Sequence, residues 1–122
     1  MKRNFADILL TLGYYSYGQY LASDQWATIR NAVLVRDEHR CLICHAPANQ
    51  VHHHSYAAAV MEGKRFSSLS SLCRHCHQKI EIRSNGKKRR LAAANKAFRR
   101  RQHAYRQMSD AEKWTPIVPS SD

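Results

Sequence analysis

The residues best suited to chemistry in this chain are four cysteines and a group of histidines near them. The cysteines form two Cys-x-x-Cys pairs, Cys41/Cys44 and Cys73/Cys76, which are separated by 28 residues. Two such pairs can close one tetrahedral zinc site, and zinc held by four thiolates has no open position for a substrate. The spacing therefore predicts one structural Zn²⁺ ion bound by all four cysteines.

The histidines lie where they could work beside that zinc site. A run from His52 to His54 falls between the cysteine pairs, and His77 directly follows the second pair. Two histidines can hold a divalent ion while a third accepts a proton from water. This set is suited to metal-assisted hydrolysis of phosphodiesters. The simpler interpretation of any single histidine is a core or surface residue without a chemical role.

Charge and composition narrow the class of protein. The chain has 122 residues, enough for one small domain, and carries a net charge of +11 from 20 basic and 9 acidic residues. This excess predicts a polyanionic partner, most simply nucleic acid, rather than only a solvated surface. No secretory signal or membrane-spanning stretch is apparent, because Asp7 interrupts the first apolar run and Gly13 ends it. We therefore expect a cytoplasmic protein, where zinc fits the cysteines better than a disulfide framework does.

Hydrophobic spacing and capping residues predict the elements that position these groups. A short helix is expected over residues 4–12, a turn or loop over 13–18, and a helix that begins at Ser23 and ends near Arg36. Residues 50–56 are expected to form a short strand, and residues 57–64 suit either a helical turn or a loop. A serine-rich stretch then leads to the second cysteine pair. A helix should run from that pair through Ile82 and end at Asn85-Gly86.

The last third of the chain is strongly basic. Its apolar residues, from Leu91 to Met108, fall at helical spacing and predict an amphipathic basic helix with a frayed tail beyond it. We expect one compact domain with an N-terminal helix and loop extension (1–22), a core with both cysteine pairs (23–86) and the basic helix and tail (87–122). The cations expected to hold phosphates are Arg74, Lys79, Lys87, Lys88, Arg89, Arg90, Arg99, Arg100 and Arg101.

The order of these motifs resembles a known family. Cys-x-x-Cys, then Val-His-His, then Leu-Cys-x-x-Cys-His is similar to the zinc-containing HNH endonucleases, which are ββα-metal nucleases. The similarity includes the lead-in from Ser23 to Cys41 and covers about residues 20–83. It implies a small α+β fold with a ββα-metal core stapled by the four-cysteine zinc site. It also implies a metal-dependent endonuclease that acts on DNA.

The resemblance implies a role for each matching residue. His53 would be the general base, and His52 and His77 would bind a catalytic divalent ion such as Mg²⁺, Mn²⁺, Ni²⁺ or Zn²⁺. Ser68 stands where the family has an asparagine that holds the loop and helps to orient the base. Serine can still form a hydrogen bond, but its reach is shorter.

Two alternatives stay open at this stage. A register one residue later would make His53 the ligand and His54 the base, although Val51 and Tyr56 favour the earlier register. Because neighbours in a strand face opposite sides, His52 and His53 can share one site only if the strand bulges or ends there. The alternative function is a catalytically silent zinc module that binds nucleic acid; a zinc domain for protein interaction would explain the cysteines but not the charge.

Overall fold

The computed structural model describes residues 4–108 and shows a small α+β fold with one two-stranded sheet. The class of fold agrees with the sequence-based expectation. No helix within the described residues is both long enough and apolar enough to cross a membrane. In chain order the elements are α1 (Phe5–Leu12), α2 (Tyr17–Leu21), α3 (Asp24–Arg36), β1 (Gln50–His53), α4 (Ala58–Met61), β2 (Leu69–Leu72), α5 (Arg74–Glu81) and α6 (Leu91–Gln107).

Two of the three helices before the first cysteine pair, α1 and α3, begin and end at the residues the sequence indicates. The Asn4 side chain accepts a hydrogen bond from the Asp7 N–H at 2.8 Å and so caps α1. Gly13, with φ of 96°, ends that helix in the left-handed conformation that glycine adopts without strain. Ser23 caps α3 by accepting from the Trp26 N–H at 3.1 Å. The helices predicted over 4–12 and from Ser23 to Arg36 are thus confirmed.

The sheet consists of β1 and β2, which are antiparallel and pair Gln50 with Leu72 and His53 with Leu69. Helix α5 follows β2 after Cys73, whose sulfur accepts a hydrogen bond from the Cys76 N–H at 3.4 Å. The second cysteine pair therefore joins a strand directly to a helix. This places its two sulfur atoms and the histidine that follows within one turn of α5.

Several predicted boundaries differ from the observed ones. The strand predicted over 50–56 ends at His53, and the loop predicted over 13–18 already contains the start of α2. The helix after the second cysteine pair ends at Glu81 and not at Asn85-Gly86. Ile82 instead pairs with Lys88, so residues 83–87 form the connection between them.

The basic helix also begins later in the chain than the first run of basic residues suggests. Residues 87–90 precede α6, which begins at Leu91 and buries Ala94 and Phe98. The ambiguous stretch 57–64 contains the four-residue helix α4, and the serine-rich stretch contains β2. The predicted frayed tail lies outside the described residues.

Two hydrophobic clusters lie on either side of the sheet. One contains α1, α2 and α3 residues around Tyr20 and Trp26, and Tyr20 also donates a hydrogen bond to the Met61 carbonyl oxygen at 2.9 Å. The other surrounds the four cysteines with Ile43, Leu72, Ile80 and Phe98. Residues of α1 and α2 therefore belong to the core that supports β1.

Candidate functional site

The four cysteines form one closed cluster. All four are buried, are free of disulfide bonds and place their sulfur atoms within 4.8 Å of one another. The backbone N–H of Ile43 donates to the Cys41 sulfur, and that of Cys76 donates to the Cys73 sulfur, each at 3.4 Å. This arrangement fits the predicted tetrahedral site for one zinc ion, with backbone donors that stabilise the thiolates.

The four thiols are close enough to hydrogen-bond with one another and so to shift one another's pKa values. Hydrogen bonds from the neighbouring thiols lower the pKa of Cys41, which favours a thiolate at that position. The same neighbours raise the pKa of Cys76, whereas a hydrogen bond with Arg101 acts in the opposite direction. The Nε atom of Arg101 is buried and has no hydrogen-bond partner among residues 4–108. A guanidinium in this position is compatible with an anionic zinc–thiolate centre beside it.

A second cluster forms on another face of α5. His52, His77 and Glu81 place three potential ligand atoms within 4.8 Å of one another. His77 and Glu81 lie four residues apart on α5 and therefore share one side of the helix, with 3.0 Å between Nε2 and Oε1. The Oε1 atom of Gln50 lies 2.8 Å from the other ring nitrogen of His77, Nδ1.

The hydrogen bonds of His77 bear on whether this cluster could hold a cation. If the Gln50 side-chain oxygen accepts a hydrogen bond from Nδ1–H, the neutral His77 ring has its lone pair at Nε2, which faces the Glu81 carboxylate. Two electron-rich atoms at 3.0 Å repel unless a proton or a cation lies between them. The hydrogen bond with His77 lowers the pKa of Glu81, and burial lowers the pKa of His52. The three ligand atoms could hold a metal ion, and a proton shared between His77 and Glu81 would satisfy the same pair.

Glu81 was not among the residues predicted from the sequence, although a signal was available. A carboxylate four residues after His77 on an expected helix lies on the same side as that histidine. By contrast, no local pattern indicates that Gln50 contacts His77, because the two residues are brought together by the packing of β1 against α5.

His53 lies on the opposite side of β1 from His52, in the aromatic part of the core. Its ring lies between those of Trp26 and Tyr56, with centroid distances of 4.6 Å and 5.1 Å, and Nδ1 is 3.1 Å from the Tyr17 hydroxyl. The side chain is 3% exposed. Its Nε2 atom is buried and has no hydrogen-bond partner in the described part of the chain. Burial, followed by the repulsion from His52 and His77, lowers the pKa of His53 to about 4.

The remaining predicted residues of the hairpin have structural contacts. The Ser68 carbonyl oxygen accepts a hydrogen bond from the His54 N–H at 2.8 Å, so Ser68 closes the hairpin through its backbone. His54 is half-buried and its Nε2 is 2.8 Å from the Ser70 hydroxyl. His54 thus has hydrogen-bond partners in the hairpin for both its backbone N–H and its side chain. His39, His45 and His103 are exposed.

A basic groove lies between α5 and α6, with a cavity of about 480 Å³. Four of the predicted phosphate-binding residues line it, namely Lys79, Arg89, Arg100 and Arg101, and Arg83 and Lys96 join them. Arg74 instead lines a smaller cavity beside His77 and Glu81. The other predicted cations, Lys87, Lys88, Arg90 and Arg99, are exposed outside the lining of the groove.

No protein-family model, curated protein or solved structure matches the chain. The resemblance to HNH endonucleases therefore stays a hypothesis that depends on the motif residues.

Proposed function

We propose that this protein is a metal-dependent DNA endonuclease of the HNH type. The observation that carries the proposal is the cluster of His52, His77 and Glu81, whose ligand atoms lie within 4.8 Å of one another. Two histidines and one carboxylate are a ligand set that leaves positions open for water and substrate in hydrolytic metal sites. Because His77 and Glu81 are half-buried, a phosphate group could approach an ion at this site.

The residues around the cluster would divide the reaction between them. A divalent ion held by His52, His77 and Glu81 would offset the negative charge of the scissile phosphate and the leaving oxygen. The Nε2 atom of His53 would accept the proton of the attacking water, and the hydroxyl of Tyr17 would hold the ring at Nδ1. Because His53 lies on the side of β1 opposite His52 and its Nε2 atom is enclosed by aromatic rings, the strand would have to turn and the aromatic cluster would have to open before this atom could reach a water at the ion.

The basic groove would hold the DNA backbone next to the ion. A third cavity shares Gln78 and Ile82 with the cavity beside His77 and Glu81, and it shares Lys79, Arg83, Arg89 and Arg101 with the basic groove. A strand whose scissile phosphate lies at the ion would therefore bring neighbouring phosphates to the cations of α5 and α6. Contacts of this kind bind DNA with little regard to its sequence.

The cysteine cluster would have a structural role in this protein. One Zn²⁺ ion bound by Cys41, Cys44, Cys73 and Cys76 would fix the start of α5 and so the position of His77. A reducing compartment such as the cytoplasm would keep the four thiols available for the metal.

A second candidate function is favoured by the enclosure of His53. A side chain that is 3% exposed and stacked between two aromatic rings is also what a structural core histidine looks like. The protein would then be a catalytically silent zinc module that binds nucleic acid through the same basic groove. The cysteine cluster is equally compatible with both functions.

The experiment that separates the two functions is a plasmid-nicking assay with Mg²⁺, Mn²⁺, Ni²⁺ or Zn²⁺. The chain should nick supercoiled DNA with at least one ion, and His53→Ala should reduce the rate by roughly 10²–10⁴-fold. His54→Ala is the matched control for the register. Loss of cleavage in His54→Ala with normal cleavage in His53→Ala would assign the base to His54. A wild-type chain that binds DNA but cleaves with none of the ions would support the silent module.

A further inference from the structure

One side chain of α6 contacts two of the three consecutive histidines. The Oδ1 atom of Asn95 lies 2.9 Å from Nε2 of His52 and 3.2 Å from Nδ1 of His54. The Nδ2 atom of Asn95 donates a hydrogen bond to the His54 carbonyl oxygen at 2.9 Å. Asn95 lies well outside the region that resembles HNH endonucleases, so the motif does not predict its contacts.

These three contacts fix the orientation of the Asn95 amide group. The carbonyl oxygen of His54 can only accept a hydrogen bond, so the amide nitrogen of Asn95 must face it. The oxygen of the same amide then faces both imidazole rings and can only accept. Each ring must therefore carry a proton on the nitrogen that contacts Asn95, namely Nε2 of His52 and Nδ1 of His54.

The positions of these protons decide which ring nitrogens have lone pairs. In neutral His52 the lone pair is left at Nδ1, so Nδ1 is the atom available to a metal ion. In neutral His54 it is left at Nε2, which can accept a hydrogen bond from the Ser70 hydroxyl at 2.8 Å. This second tautomer is the less common one for free imidazole in water, so its presence would be a specific sign of the contact with Asn95.

We propose that Asn95 is a positioning residue that fixes the tautomers and ring orientations of His52 and His54, and thereby presents Nδ1 of His52 as a ligand atom. Phe98, three residues further along α6, supports the same two rings. Its ring is nearly parallel to that of His52, with centroids 6.4 Å apart, and meets that of His54 edge-on at 4.6 Å. Helix α6 thus completes the metal site from outside the motif. The part of the inference that concerns the ion depends on the proposed function, whereas the tautomers do not.

The tautomers can be measured directly by ¹⁵N NMR of the imidazole rings. The sample is the full chain with one equivalent of zinc, at neutral pH and without further metal. We expect a protonated Nε2 in His52 and a protonated Nδ1 in His54. Asn95→Ala should shift His54 towards the common Nε2–H tautomer. Asn95→Asp loses the donor to the His54 carbonyl oxygen but keeps an oxygen acceptor towards both rings, so it should retain the wild-type proton positions. The inference would be wrong if the wild-type His54 carried its proton on Nε2, or if Asn95→Ala left the pattern unchanged.

Metal affinity provides the second readout. Titration calorimetry with a second equivalent of Zn²⁺ should show binding that Asn95→Ala weakens by roughly 10–100-fold, the usual cost of losing a group that orients a metal ligand. Asn95→Asp should stay close to the wild-type affinity. His103→Ala, which removes an exposed histidine from the same helix, is the matched control and should not change the affinity.

The two readouts separate failure of this inference from failure of the proposed function. If the second Zn²⁺ does not bind to the wild-type chain while the tautomers depend on Asn95 as expected, the metal site is refuted and the positioning of the rings stands. If Zn²⁺ binds and Asn95→Ala leaves its affinity unchanged, the role of Asn95 towards the ion is refuted. Zinc content and thermal unfolding of each variant show that the compared proteins are folded.

Discussion

The two potential metal sites differ in how far they are closed to solvent. The four cysteine sulfur atoms belong to residues that are all buried, and backbone N–H groups contact two of these sulfurs. In the cluster of His52, His77 and Glu81 only His52 is buried, and a cavity lies beside the other two. A closed site with four strong ligands is suited to holding a fold together, and an open site is suited to exchanging water and substrate.

The short helix α5 contributes residues to both sites. Cys76 and Ile80 face the cysteine cluster and are buried there, whereas His77 and Glu81 face the open cluster. Neighbours on a helix point in directions about 100° apart, so Cys76 and His77 reach different clusters from adjacent positions. The comparison leads us to expect that changes in the closed cluster affect folding, whereas changes in the open cluster affect chemistry.

The largest effect should come from removing a thiolate of the closed cluster. Cys76→Ser should lose zinc and unfold the domain, because a structural zinc site contributes on the order of 10 kcal/mol in small domains. Elemental analysis and circular dichroism measure the two consequences. Gln78→Ala, an exposed change on the same helix, should retain both zinc and helix content. A folded Cys76→Ser chain that contains no zinc would show that the cysteine cluster does not hold the fold.

Removing a ligand from the open cluster should give the opposite pattern. His77→Ala should keep its structural zinc and its fold, but lose at least about 100-fold in metal-dependent cleavage at limiting ion, since even the loss of an outer partner costs 10–100-fold. Glu81→Gln should behave in the same way, because the amide replaces a charged ligand. Cleavage assays at increasing ion concentration would test this, since excess ion should restore part of the rate. Unchanged cleavage in both variants would rule out the cluster as the catalytic metal site.

Sequence reasoning was most reliable for features that depend on local spacing. The caps at Asn4 and Ser23, the glycine at the end of α1 and the grouping of the four cysteines all follow from short-range patterns. Strand β2 was missed because Leu-Ser-Ser-Leu lacks the β-branched residues and the alternation that indicate a strand. Its serines are buried all the same, and the N–H of Ser71 donates to the Asp37 carboxylate at 3.1 Å.

The surroundings of the histidines could not be predicted in the same way. Asn95 contacts His52 although the two are 43 residues apart in the sequence, and Tyr17 contacts His53 although they are 36 residues apart. Such contacts depend on how helices pack on the sheet, which spacing along the chain does not reveal. Glu81 is the exception, since its distance of four residues from His77 was visible in the sequence.

Acid should destabilise the protein through His53. Its folded pKa is about 4, below the ordinary value of 6.5, so the unfolded state binds the additional proton between these values. Stability should therefore fall as the pH falls from about 6.5 to about 4, by about 2–3 kcal/mol from this residue alone. His53→Phe keeps an aromatic ring between Trp26 and Tyr56 and should have a flatter dependence in chemical unfolding experiments. Loss of zinc in acid affects both chains, so the informative quantity is the difference between them.

His53→Phe also distinguishes the two proposed functions. If His53 is the general base, this variant should be folded and inactive. A variant that retains wild-type nuclease activity would show that His53 is a structural core residue. The result would then confine the chemistry to the open cluster or to His54.

The smallest effects are expected from substitutions of two neighbouring arginines of α6, and the two substitutions should have different consequences. Arg101 is half-buried beside the cysteine cluster and lowers the pKa of the Cys76 thiol, although the neighbouring thiols raise it more, whereas Arg100 is exposed in the basic groove. Arg100→Ala should weaken binding to all DNA sequences alike and reduce the salt dependence by about one charge, with normal zinc content. Arg101→Ala should instead accelerate the loss of zinc to a chelator, because it removes a cation that stabilises the thiolates. Binding titrations at several salt concentrations and chelator kinetics, run on both variants, would test this division. If both variants lost zinc at the same rate and bound DNA with the same salt dependence, Arg100 and Arg101 would not have separate roles in the basic groove and at the cysteine cluster.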